Sequence, residues 1–166
     1  ASECLGCPLG RYTDEEGQSE CKLAEPGTYV SEEGSSEPAG CAAGWYSSTA
    51  MSECIVCAVG SYSNASANEC TLCPAGSSQH LEGQATCPSC PAGKYQSNKG
   101  QSFCLECPEG KFGAAAAQTN ATECQDCPVG KYQAAAAQAS SWSVEPHTRV
   151  LPSLEVICTL CSASFS

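Results

Sequence analysis

Sixteen of the 166 residues are cysteine, and they carry most of the chemistry this chain can offer. Most come as Cys-x-x-Cys pairs, such as Cys54/Cys57, Cys70/Cys73, Cys87/Cys90 and Cys104/Cys107. Three chemistries use that spacing: disulfides in an oxidising compartment, tetrahedral zinc sites, and thiol redox catalysis. Redox catalysis wants a βαβ context, which is missing here. The two histidines, His80 and His147, lie in separate polar loops with no nucleophile beside them. No G-x-S-x-G, H-E-x-x-H or P-loop occurs, so the chain reads as a non-enzyme without metal or cofactor.

The elements that position the cysteines repeat along the chain. Cys7-Pro8-Leu9-Gly10-Arg11-Tyr12 matches Cys90-Pro91-Ala92-Gly93-Lys94-Tyr95, Cys107-Pro108-Glu109-Gly110-Lys111-Phe112 and Cys127-Pro128-Val129-Gly130-Lys131-Tyr132. The Cys-Pro cysteine is position b, and the cysteine three residues before it is position a. Position b falls at 7, 24, 41, 57, 73, 90, 107 and 127. Glycine follows three residues later in all eight repeats, and an aromatic five residues later in all but one, where Ser78 stands. Pro second and Gly fourth in a four-residue turn suit type I geometry. A strand of three or four residues should follow, and the polar stretch should return as a hairpin. The aromatic is expected to cover the next repeat's disulfide and supply its small core. Repeats of this size bury no apolar face alone, so they should stack mainly on their neighbours.

Two losses speak to the pairing. Ala24 stands at position b of the second repeat, and Pro38 at position a of the third. If b of one repeat bonds a of the next, these losses remove one whole disulfide and orphan nothing. That predicts Cys7–Cys21, Cys41–Cys54, Cys57–Cys70, Cys73–Cys87, Cys90–Cys104, Cys107–Cys124 and Cys127–Cys158, leaving Cys4 and Cys161 as unpaired or end cysteines. Zinc fits less well, because the first two junctions would hold only three and two cysteines and a site needs four ligands.

Composition agrees. Leu, Ile, Val and Phe number 21 of the 166 residues, too few for a conventional core in a chain of net charge -11. A closed loop of about 15 residues stabilises by roughly 3 kcal/mol in the chain-entropy model, so a series of such loops can replace that core. The acidic surface argues against nucleic acid and anionic membranes. No apolar run is long enough for a membrane span. Asn64-Ala65-Ser66 and Asn120-Ala121-Thr122 are glycosylation sequons, which makes Asn64 and Asn120 candidate glycan acceptors.

The motif C-x-x-C-P-x-G-x-[YF] with its polar loop resembles the ephrin-type receptor-like cysteine-rich repeat, and is similar to the tumour-necrosis-factor-receptor type of module. The resemblance spans residues 4 to about 133. It implies small disulfide-linked hairpins in series, with each Cys-Pro cysteine bonded to the next repeat's first cysteine. Ala24, Pro38, Ser78, and Ala42 and Ala58 in place of Pro, depart from the pattern.

The expected fold is therefore small, disulfide-rich and mostly irregular or β: an elongated tandem array of about eight short hairpin modules with little apolar core. Residues 1–133 form the array and 134–166 an irregular extension closed by the last Cys-x-x-Cys. The final inter-cysteine loop concentrates Trp142, Val150, Leu151, Leu154 and Ile157, which read as a docking segment for another protein. The runs Ala114–Ala117 and Ala134–Ala137 admit a short helical turn. Asp14-Glu15-Glu16 and Glu32-Glu33 read as a solvated acidic face. The functional expectation is a scaffold or accessory subunit of a larger extracytoplasmic assembly, in an oxidising compartment such as the cell surface or an organelle lumen. The alternative is a ligand-binding or adhesion ectodomain fragment.

Overall fold

The structure is a computed structural model that describes residues 4–132 and the backbone of Trp142–Ser143. It is a small disulfide-rich array of hairpins, each a two-stranded antiparallel sheet. Chain contacts divide it into two compact units: Ala1–Cys73 with Gln79–Cys87, and Pro74–Ser78 with Pro88–Ser166.

In the first unit β1 (Arg11–Tyr12) pairs β2 (Lys22–Leu23), and β3 (Thr28–Tyr29) pairs β4 (Ala39–Gly40). Likewise β5 (Trp45–Tyr46) pairs β6 (Ile55–Val56), and β7 (Ser61–Tyr62) pairs β8 (Thr71–Leu72). In the second unit β9 (Lys94–Tyr95) pairs β10 (Leu105–Glu106), β11 (Lys111–Phe112) pairs β12 (Gln125–Asp126), and β13 (Lys131–Tyr132) pairs β14 (Trp142–Ser143). Each strand is two residues long, shorter than the sequence suggests. The second strand of most hairpins is the x-x of a Cys-x-x-Cys, so the position-a cysteine opens the return strand. The repeat with Ser78 in place of the aromatic keeps the register but makes a single bridge, Ser77 to Ser89.

The turn differs from the type I reading. Pro8, not Cys7, is its first residue: the Arg11 N–H donates to the Pro8 carbonyl at 3.1 Å. Gly10 then occupies the third position with φ +76°, which is type II geometry. The same bond recurs in the other repeats, for example Trp45 N–H to the Ala42 carbonyl at 3.1 Å. Proline is therefore not required at this position, and Ala42 and Ala58 start the same turn.

Turn glycines from Gly10 to Gly93 also fasten the next repeat. The Gly27 N–H donates to the Ser47 carbonyl, and the Gly27 carbonyl accepts from the Cys41 N–H, both at 2.9 Å. The second unit repeats this at Gly76, with Gln96 and Cys90. A Cβ on Gly27 would overlap the Ser66 carbonyl, and one on Gly44 the Gly83 carbonyl. Ser66 and Gly83 belong to the loop two repeats further on. Repeats thus touch their second neighbours as well as their nearest ones, which the stacking expectation left out. The loop residue that arrives there has positive φ in each case, including Ala50 at 61° and Ser66 at 55°. Ala117 is another, at 59°, so the first alanine run forms a bent loop and not a helical turn.

The core is sulfur and small polar groups. Cys7, Cys41, Cys57, Cys73, Cys90, Cys107 and Cys124 are buried. The repeated aromatics, expected to form the core, are half-buried, and no aromatic among the described residues is fully buried. The sixth residue after position b takes the interior place instead in five repeats: Val30, Ser47, Ser63, Gln79 and Gln96. Gln96 Nε2 donates to the Phe103 carbonyl at 2.8 Å, while its Oε1 accepts from the Asn98 N–H at 3.0 Å, which ties the hairpin loop. Gln79 does the same with Thr86 and Leu81. Gly113 leaves that place empty in the next repeat. Gln118 fills it, and its Nε2 reaches the Glu123 carbonyl at 2.9 Å.

Candidate functional site

The type II turn buries position b, and the hairpin register delivers position a of the next repeat beside it. The structure joins Cys7 to Cys21, Cys41 to Cys54 and Cys57 to Cys70. It also joins Cys73 to Cys87, Cys90 to Cys104 and Cys107 to Cys124. Their Cα atoms stand 5.6–5.8 Å apart, as the linkage requires. The position-a sulfurs are half-buried except at Cys124, which is buried like its partner. Cys127 is disulfide-bonded; Cys158, its expected partner, and Cys161 lie outside the described residues. Cys4 is exposed with a free thiol.

Other predicted positions are placed as follows. Asn64 is exposed on its loop. Asn120 is exposed too, but its Oδ1 accepts from the Thr122 N–H at 3.1 Å and caps the short 3-10 turn Ala121–Glu123. Tyr132 is the register partner of Trp142. Val150, Leu151, Leu154 and Ile157 lie outside the described residues, as does His147. His80 is exposed. Among the described residues, no three His, Cys, Asp or Glu side chains converge as metal ligands. Among them, too, no helix is long and apolar enough to cross a membrane.

The acidic face is exposed, and one of its carboxylates joins a cross-hairpin pair. Lys22 Nζ lies 2.6 Å from Asp14 Oδ1. That hydrogen bond holds the Asp14 carboxyl below the usual carboxylate range and raises Lys22 in turn. In the second unit Lys94 pairs with Glu106 at 3.1 Å and Lys111 with Asp126 at 2.6 Å, both across hairpins.

Sequence reasoning missed one feature. Leu9, Tyr29, Trp45 and Glu53, from three different repeats of the first unit, line a groove of about 610 Å3. Trp45 carried a signal: it is the one apolar residue at the fourth position after b, where the others are Arg11, Thr28, Ser61, Ser77, Lys94, Lys111 and Lys131.

Fold and cysteine geometry together define a disulfide-stapled repeat protein of a non-catalytic module type, suited to an extracellular or otherwise oxidising compartment. The chain belongs to the tyrosine-protein kinase ephrin type A/B receptor-like family, whose model matches residues 1–41, 44–83 and 76–124. No curated protein matches the sequence closely enough to count as a relative.

Proposed function

We propose that the chain is a non-enzymatic scaffold or accessory subunit of a larger extracytoplasmic assembly, and that Trp142, Val150, Leu151, Leu154 and Ile157 carry its attachment. The observation that carries this reading is a fold whose interior is filled by disulfides and backbone hydrogen bonds, leaving apolar side chains such as Leu9 and Leu72 at the surface. Such a chain serves by presenting surface to other proteins. Its partners are proteins, with neither nucleic acid nor membrane lipid bound directly. Asn64 is the glycan acceptor we propose first, since its side chain is exposed and uncommitted while Asn120 serves as a cap; deglycosylation should lower the mass of an Asn64-containing peptide.

The test is co-purification from the native source before and after deletion of residues 142–157. Loss of the assembly supports attachment through that stretch, and full retention removes it. The family assignment favours one second reading, a ligand-binding or adhesion ectodomain fragment. That version predicts a chain that is monodisperse alone and continues into a membrane helix in its gene.

A further inference from the structure

The first unit is chemically lopsided. It carries twelve acidic side chains and two basic ones, Arg11 and Lys22, whereas the second carries six and five. The residue before position a is Glu in the second to fifth repeats, including the one where Pro38 stands at position a: Glu20, Glu37, Glu53 and Glu69. All four are exposed, and none is in an ion pair among the described residues. They therefore carry uncompensated charge at one register position of successive hairpins.

One of these four carboxylates, Glu53, lines the groove. Trp45 is 41% exposed and Leu9 50% exposed on its walls, and Glu53 stands at its edge. The fold does not need that tryptophan. Thr28 and Ser61 hold the equivalent place in the repeats on either side, and in the second unit Lys94 and Lys111 use it for cross-hairpin ion pairs. Against Val56, its register partner, Trp45 makes no such pair and stays partly exposed.

We propose that this groove docks a cationic protein segment, with an arginine or lysine lying on the Trp45 ring and the Glu53 carboxylate as its counter-charge. Charge selects the occupant. A second copy of this chain brings the same acidic surface and is repelled, and nucleic acids and anionic lipids are repelled likewise. An apolar peptide would fill the groove but leave the glutamates uncompensated. The inference rests on the reading of the chain as a protein-binding module, but on a surface remote in sequence from residues 142–157. Deleting that stretch should leave groove binding intact, so the two readings fail separately.

The probe is an octa-arginine peptide, titrated calorimetrically into the full chain at low and high salt. Trp45→Thr, which copies Thr28, should keep the fold and weaken binding about tenfold; Glu53→Gln should weaken it roughly threefold. Glu15→Gln removes the same charge away from the groove and should change affinity less than about twofold. Binding by Trp45→Thr equal to the native chain's overturns the proposal. So does an effect of Glu15→Gln equal to that of Glu53→Gln, which would mean diffuse charge attraction only, and so does equal affinity for an uncharged leucine–serine peptide.

Discussion

The repeat that begins at Ala24 and the one that begins at Cys41 lie side by side in sequence and differ in one covalent bond. The second is closed by Cys41–Cys54. The first has Ala24 and Pro38 where those cysteines stand. Their backbones are nevertheless the same. The Ala24 N–H donates to the Gly10 carbonyl and the Cys41 N–H to the Gly27 carbonyl, both at 2.9 Å. The Ala24 carbonyl accepts from Ala50 N–H and the Cys41 carbonyl from Ser66 N–H, both at 2.8 Å. Thr28 faces Gly40 in one hairpin as Trp45 faces Val56 in the other. Sulfur therefore does not dictate the conformation of a repeat; it restricts the unfolded chain. The repeat without it compensates inside. Ala24 and Val30 are the non-cysteine apolar residues buried among the described residues, and both belong to that repeat.

The largest effect should come from making the second repeat resemble the first. Cys41→Ser with Cys54→Ser should cost about 3 kcal/mol in denaturant unfolding. A change under about 1 kcal/mol would mean that the backbone lattice alone suffices. The converse experiment makes the first resemble the second: Ala24→Cys with Pro38→Cys should form a bond and raise stability by about 1–3 kcal/mol. Failure of the two thiols to join would show that the hairpin there departs from its neighbour's. Val30→Ser copies Ser47 into the repeat without sulfur and should cost about 1–2 kcal/mol, since it removes buried apolar surface that no disulfide replaces.

The smallest effect concerns Asp14 and Lys22, which clasp a loop already closed by Cys7–Cys21. The depressed Asp14 contributes above its unfolded pKa, and that contribution fades as pH falls through the lower folded value. The raised Lys22 contributes below its unfolded pKa and loses that contribution as pH rises through the folded one. Asp14→Asn should lower the melting temperature slightly at neutral pH, and the difference should fade in acid as pH falls past the ordinary carboxylate range and through the lower folded value of Asp14. A difference that persists in acid would assign the effect to something other than this pair.

Much of the fold is readable from side-chain chemistry repeated at fixed spacing. The cysteine period, the glycine three residues on and the hairpin return all leave marks in the residue types. What stays hidden runs through the backbone. The turn starts at proline and not at cysteine, because a type II turn asks for positive φ at its third residue, and only the proline register puts Gly10 there. The close approach of Ser66 to Gly27 is made by a carbonyl that any residue has. The aromatics misled because a large side chain in a chain this poor in apolar residues looks like core, whereas space beside the sulfurs is narrow and Ser47 or Gln96 fits it better. The groove went unseen because Leu9, Tyr29 and Trp45 meet across three repeats, although Trp45 broke the polar rule at its position.

Amide hydrogen exchange on the native chain, before and after complete reduction and alkylation, tests the central claim most directly. In the oxidised protein the Cys57 N–H, bonded to the Gly44 carbonyl, and the Gly60 N–H, bonded to Gln79, should be strongly protected. Reduction should abolish that protection across both units. Protection that survives in a fully thiol-blocked chain would contradict the account, since the lattice would then stand without its sulfur.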